Sequence, residues 1–164
     1  MEYFEDIHVG NARQSEVEYE LTPEEIIEFC SKWDPLPFHT DVKAAEATPV
    51  GRLFTSAVHS IAIAIRLGHD LNPEPTATEI GLGWDQVRFH SPACAGDRLR
   101  VRGEVIEALP SSSKPHLGII RSQLNLLNQR DEPVVTFQAA AVVRRRPPRT
   151  CRRRASQRGA AAVG

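Results

Sequence analysis

The hydrophobic pattern changes period twice along the chain. Val17, Tyr19 and Leu21 alternate with Glu16, Glu18 and Glu20, which predicts a strand with one buried face. Thr22-Pro23-Glu24-Glu25 then combines an N-cap threonine, a proline at the first helical position and a glutamate at the capping-box position. Leu21 is placed to staple onto Ile26. The helix that starts here presents Ile26, Phe29, Cys30 and Trp33 on one face and is expected to end near Trp33, because Pro35 and Pro37 push Asp34 and Leu36 out of helical geometry. Asp41 can cap a short turn through Val42 to Glu46. From Ser56 to Leu67 the chain is apolar on nearly all sides, which predicts a helix capped by Ser56 and buried by other elements; a buried strand is the alternative that length disfavours.

Beyond Pro73 and Pro75 the period becomes two. Strands are expected over Ile80 to Phe89, over the alternating Leu99, Val101, Gly103 and Val105, over Leu117 to Leu127 and over Val134 to Val143. Pro92 with Ala95-Gly96-Asp97, Pro110-Ser111-Ser112-Ser113 and Asn128-Gln129-Arg130-Asp131 mark the turns. Consecutive strands with short turns predict an antiparallel sheet. The apolar helix is the obvious filler for its core face, an α+β arrangement of a sheet around a central helix.

Composition changes this picture only at the carboxyl end. At 164 residues, 41% hydrophobic and 25% charged, the chain has the make-up of one soluble globular domain, and no apolar run approaches a membrane span. The acidic start, Met1-Glu2-Tyr3-Phe4-Glu5-Asp6, lacks the basic and apolar regions of a signal peptide, so a cytoplasmic location is expected. Cys30, Cys94 and Cys151 form no CxxC pair and are read as free thiols. Eight arginines lie between Arg144 and Arg158; removing them from the formal charge of -1 leaves about -9 for residues 1 to 143. The expected organisation is therefore a folded domain over residues 1–146 and a basic low-complexity tail over 147–164 that does not fold. The tail lacks interleaved aromatics, so nucleic-acid binding is not expected.

The candidate chemistry lies in Trp33-Asp34-Pro35-Leu36-Pro37-Phe38-His39-Thr40-Asp41. If this segment curls, the Asp34 carboxylate and His39 imidazole converge; if it runs straight they diverge, and spacing alone leaves both open. The ordinary reading is a proline-rich loop with an exposed Asp and a His packed on Phe38. A metal site from His39, Asp41 and His59 has no recognised ligand spacing, and neither metal nor other cofactor is expected. Trp33 and Trp84 are read as core aromatics rather than a ligand platform.

Several ordered motifs make the chain resemble the MaoC-like dehydratases and (R)-specific enoyl-CoA hydratases of the hotdog fold. They are Tyr3-Phe4-Glu5-Asp6-Ile7 with Val9-Gly10, Asp34-Pro35-Leu36-Pro37-Phe38-His39-Thr40-Asp41, Ala44-Ala45, and Pro92 followed by Gly96-Asp97, within about residues 3 to 146. The resemblance implies a sheet wrapped on a central helix and reversible hydration of a trans-2-enoyl-CoA to a 3-hydroxyacyl-CoA. Asp34 would be the base and His39 the second acid/base group. The Ala57 amide, behind Ser56 at the start of the central helix, would be the oxyanion donor. His59, three residues beyond Ser56 on the same helix, is read either as lining the acyl channel or as a histidine hydrogen-bonded within the core or at a subunit contact. Family hydratases often carry Asn-Pro where this chain has Leu36-Pro37, and many carry His-Gly in place of Ser56-Ala57. The resemblance further implies an acyl-CoA substrate and a homodimer or higher oligomer. The alternatives are a hotdog thioesterase and a non-catalytic acyl-thioester-binding or assembly subunit.

Overall fold

A computed structural model of the chain describes residues 1–147. A short 3-10 turn (Phe4–Asp6) leads into β1 (Ala12–Gln14) and β2 (Tyr19–Glu20). Helices α1 (Pro23–Trp33), α2 (Pro37–Thr40), α3 (Val42–Glu46) and α4 (Ala57–Gly68) follow. Four long strands complete the domain: β3 (Thr78–Phe89), β4 (Arg98–Pro110), β5 (Leu117–Leu127) and β6 (Pro133–Arg144). The basic tail expected from 147 onward lies, from residue 148, outside the described residues.

The sheet is antiparallel with spatial order β1-β4-β5-β6-β3, and β2 also pairs with β4. The three consecutive strands β4, β5 and β6 form its centre, and α4 packs chiefly on them. This is the hotdog arrangement of a sheet curled around one helix. Ile63, Ala64 and Leu67 of α4 meet Leu99, Val101, Leu126, Val135 and Phe137 of the sheet in one core, which Leu21, Ile26 and Cys30 close from the α1 side. Burial of that apolar surface is the main favourable term in folding. Among the described residues no helix is long and apolar enough to cross a membrane.

Local chemistry explains the helix starts. Thr22 Oγ1 accepts the Glu25 N–H at 3.2 Å, with Pro23 at the first helical position. Ser56 Oγ accepts the His59 N–H at 3.2 Å, and Asp41 Oδ1 accepts the Ala44 N–H at 2.7 Å. Each cap satisfies one of the amides that a helix start leaves without an intrahelical partner.

Four expectations need correction. The strand expected at Val17 to Leu21 shrinks to Tyr19–Glu20, and Val17 is 69% exposed. Just before it the chain is tied to β4 through Ser15, whose N–H reaches the Val101 carbonyl at 2.9 Å and whose Oγ accepts the Val101 N–H at 3.0 Å. Helix α4 is buried on one face only: Ala57, Val58 and Ala62 face outward, because the sheet covers a single side of it. Trp33 and Trp84, read as core aromatics, are 62% and 52% exposed. Trp33 sits on the last turn of α1 with the Lys32 ammonium 4.9 Å from its ring centroid, and Trp84 lies on the edge strand β3, edge-on to Phe137. The capping box at α1 is half made, for the Glu25 carboxylate turns inward to Tyr19 and His59 instead of back to Thr22.

Candidate active site

The proline locks act as their stereochemistry requires. Asp34, before Pro35, takes φ −155°, ψ 70°, and Leu36, before Pro37, takes φ −75°, ψ 138°, both outside the helical region. Helix α1 ends at Asp34, whose N–H still bonds the Cys30 carbonyl at 2.9 Å. The chain then curls rather than running straight. Leu36 N–H reaches the Asp34 carbonyl at 2.8 Å, His39 N–H reaches the Leu36 carbonyl at 2.9 Å, and Asp41 N–H reaches the Pro37 carbonyl at 2.9 Å. Backbone bonds hold this loop, and the Leu36 side chain points into solvent, 44% exposed.

The curl brings Asp34 Oδ2 to 3.8 Å from His39 Nε2. The separation exceeds a direct hydrogen bond and suits one water shared by both groups. Asp34 is half-buried and His39 buried. The imidazole is gripped edge-on by Phe38 and Phe54, with centroid separations of 4.6 Å and 4.9 Å, and the two phenyl rings stack on each other at 5.5 Å. On its far side His39 Nδ1 lies 2.8 Å from the Phe54 carbonyl oxygen. A carbonyl only accepts, so Nδ1 carries a proton, and in the neutral ring Nε2 presents its lone pair towards Asp34.

Phe54 also connects this pair to α4. It pairs with Cys94 in an isolated bridge, flanked by Thr55 N–H to the Ala93 carbonyl at 2.8 Å and Ala95 N–H to the Leu53 carbonyl at 3.0 Å. Two residues later Ser56 caps α4. Among the described residues no protein acceptor occupies the N–H groups of Ala57 or Val58, and both residues are exposed. Amides without an intrahelical partner at a helix start favour negative charge nearby.

Of the two readings of His59, the structure matches the histidine hydrogen-bonded within the core. Its ring is buried, stacked flat on Phe29 with 4.1 Å between centroids, and Nδ1 and Nε2 lie 2.6 Å from Thr55 Oγ1 and 3.2 Å from Glu25 Oε1. With both nitrogens engaged, it has none for a substrate. Burial pushes its pKa down, partly offset by the Glu25 carboxylate. His39, Asp41 and His59 do not converge: Asp41 caps α3, and among the described residues no group of three or more His, Cys, Asp or Glu side chains forms a metal cluster. Reading the residues alone misses the Phe54 carbonyl, Thr55 and Glu25. The carbonyl leaves no trace in residue identity, and the Glu25 side chain is masked by its position in a capping signal.

A carboxylate 3.8 Å from an imidazole nitrogen, in a hotdog sheet, is an arrangement that can serve general acid/base chemistry. Comparison with known proteins narrows the class. A family model described as a MaoC-like domain matches residues 6–119, and the chain belongs to that family. The crystal structure of the MaoC-like dehydratase from Rhodospirillum rubrum superposes with a TM-score of 0.81 at 34% identity, covering 88% of this chain and 98% of that one. The unliganded R-hydratase from Pseudomonas aeruginosa shares the fold, with a TM-score of 0.72 at 24% identity over 88% and 86% of the two chains. A stretch of 68 residues, 41% of this chain, is 35% identical to mesaconyl-CoA hydratase from Haloarcula hispanica, and this match spans 19% of that protein's length.

Proposed function

We propose that the protein is an enoyl-thioester hydratase/dehydratase that reversibly adds water to a trans-2-enoyl-CoA to give a 3-hydroxyacyl-CoA. The observation that carries this reading is the 3.8 Å gap between Asp34 Oδ2 and His39 Nε2, with Nδ1 tied to the Phe54 carbonyl. A water seated beside the pair, within hydrogen-bond reach of both atoms, gives one hydrogen to each acceptor. As its oxygen bonds the β-carbon, one proton passes to Asp34, and His39 Nε2 holds the hydrogen that stays in the product hydroxyl. The π electrons move to the thioester oxygen, where the Ala57 N–H stabilises the enolate charge. The acid/base pair then returns a proton to the α-carbon, and dehydration is the reverse. Asp34 and His39 are the catalytic residues, and Ser56 orders the helix start that offers the oxyanion donor.

A second copy of the chain completes the assembly. Among the described residues β3 hydrogen-bonds only to β6, which leaves its other edge unpaired, and Ile80, Leu82 and Trp84 expose apolar surface on this strand. A long apolar edge is costly to leave open, and antiparallel pairing with the same strand of another copy satisfies it. Leu82→Arg should turn a dimer into a monomer in sedimentation analysis.

Turnover decides the activity. Purified protein mixed with short, branched and long trans-2-enoyl-CoAs, mesaconyl-CoA included because a relative is named for it, should lose the conjugated thioester absorbance and yield 3-hydroxyacyl-CoA. Release of free CoA thiol instead would make it a thioesterase, and binding without turnover across the panel would make it a non-catalytic acyl-CoA-binding subunit.

A further inference from the structure

Between α1 and the start of α4 lies a second polar chain, Tyr19–Glu25–His59–Thr55–Cys30, which the chemistry above does not use. Its directions follow from the residue types. The Glu25 carboxylate accepts from the Tyr19 hydroxyl and therefore takes the other proton from His59 Nε2, 3.2 Å away. That leaves Nδ1 bare to accept from Thr55 Oγ1 at 2.6 Å, and the Thr55 oxygen in turn faces Cys30 Sγ at 3.6 Å. Every heteroatom of the His59 ring and of the Thr55 hydroxyl thus has a partner.

The placement of these residues gives the chain its meaning. Glu25, Phe29 and Cys30 belong to α1, whose carboxyl end carries Asp34. Thr55 precedes the N-cap of α4, and His59 touches the cap itself through its N–H on Ser56 Oγ. Thr55, Ser56 and His59 are 4%, 0% and 4% exposed. The bridge therefore fixes the helix that delivers the base against the helix start that offers the free amides. A threonine beside a histidine and a glutamate has the residue types of a nucleophile triad, but this hydroxyl is sealed from solvent.

We propose that Glu25, His59 and Thr55 are positioning residues: their buried bridge between α1 and the start of α4 sets the Ala57 N–H relative to Asp34. The role within catalysis rests on the hydratase reading above; the mechanical role does not. Small misplacements of reacting groups are expensive in rate, because alignment supplies much of the catalytic advantage.

The test uses the full chain and four variants. Thr55→Val and His59→Phe remove the hydrogen bonds while keeping the bulk, and the phenyl ring can still stack on Phe29. Thr55→Ser and Glu25→Gln keep the bonding pattern. The first two should lower kcat by about tenfold or more with KM within about twofold, and the second two should stay near the parent. Amide hydrogen exchange supplies a readout independent of turnover. In Thr55→Val, protection should fall at His59 and Ser60, whose N–H groups bond the Ser56 side chain and carbonyl, and persist at Val101 and Leu126 in the sheet. Unchanged kcat in both disruptive variants of an active parent, or protection lost equally everywhere, would overturn the proposal. Should the parent hydrate no enoyl-CoA, the hydratase reading falls alone and the exchange pattern decides whether the bridge holds the helix start.

Discussion

Asp34→Asn separates catalysis from stability. Among the described residues the Asp34 carboxylate makes no hydrogen bond to the protein; its nearest charged partner is His39 Nε2 at 3.8 Å, and the side chain is 30% exposed. The end of α1 is held by the Asp34 backbone N–H on the Cys30 carbonyl, which asparagine retains. Stability should therefore stay within about 0.5 kcal/mol of the parent, the ordinary range for a substitution that removes no packed contact. The rate should behave differently. Removing a base that acts in the transition state costs about 10²- to 10⁴-fold, equivalent to about 2.7 to 5.5 kcal/mol of barrier. Initial rates from the loss of enoyl-thioester absorbance, with kcat and KM resolved, and urea unfolding of the same preparation give both numbers. His39 supplies the contrast. It is buried between Phe38 and Phe54 and donates to the Phe54 carbonyl, so His39→Ala should abolish turnover and also cost about 2 to 4 kcal/mol of stability. Retention of more than a tenth of kcat in Asp34→Asn would refute the assignment of the base. A stability loss above about 2 kcal/mol in that variant would show that the carboxylate holds the loop instead.

Ser56→Ala deletes the cap on the His59 N–H and should lower the urea midpoint by an amount equivalent to about 0.5 to 2 kcal/mol, with a fall in kcat as the start of α4 frays. Gly118 lies under the Phe4 ring, where an added Cβ would stand 2.1 Å from Cδ2; Gly118→Ala should cost about 1 to 3 kcal/mol, and Phe4→Ala in the same chain should relieve part of it. The Arg146 N–H and the Arg145 side chain hold the Glu5 carboxyl below its ordinary pKa, and the Tyr3 N–H with Arg146 does the same for Asp6. Such depressed carboxyls stabilise the junction of the two terminal segments above their ordinary pKa values and lose that contribution as pH falls through the lowered ones. Exchange of the Asp6 and Ile7 amides should therefore accelerate selectively, relative to the sheet, in the acid range below pH 4.5.

Much of this architecture is readable before any coordinates, for a physical reason. Thr22-Pro23 and Ser56 are local hydrogen-bonding devices, and Pro35 and Pro37 end α1 by restricting the residues before them; whether the segment from Asp34 to His39 curls is left open by spacing and is decided by its backbone hydrogen bonds. Strands β5 and β6 match their hydrophobic runs because both strands lie inside the sheet. The failures fall at margins. Val17 alternates correctly, yet Ser15 has already spent the pairing with β4. Trp33 keeps the helical period but lies on the last turn of α1, away from the sheet. The Glu25–His59–Thr55 bridge joins residues far apart in sequence; Glu25 already has a sufficient local reading in the capping signal, and nothing local marks Thr55.

The strand order has a consequence for assembly in time. β4, β5 and β6 close through two short loops, whereas Thr78 must find Val143 across the whole meander and Ala12 must find Glu104 from before the helices. Loop closure makes such distant pairings late. Until β3 docks on β6 it has two open edges, and Trp84 and Leu82 are bare on a chain that is otherwise nearly folded. Two nascent chains that meet in that interval can exchange β3 strands, so refolding yield should fall as protein concentration rises.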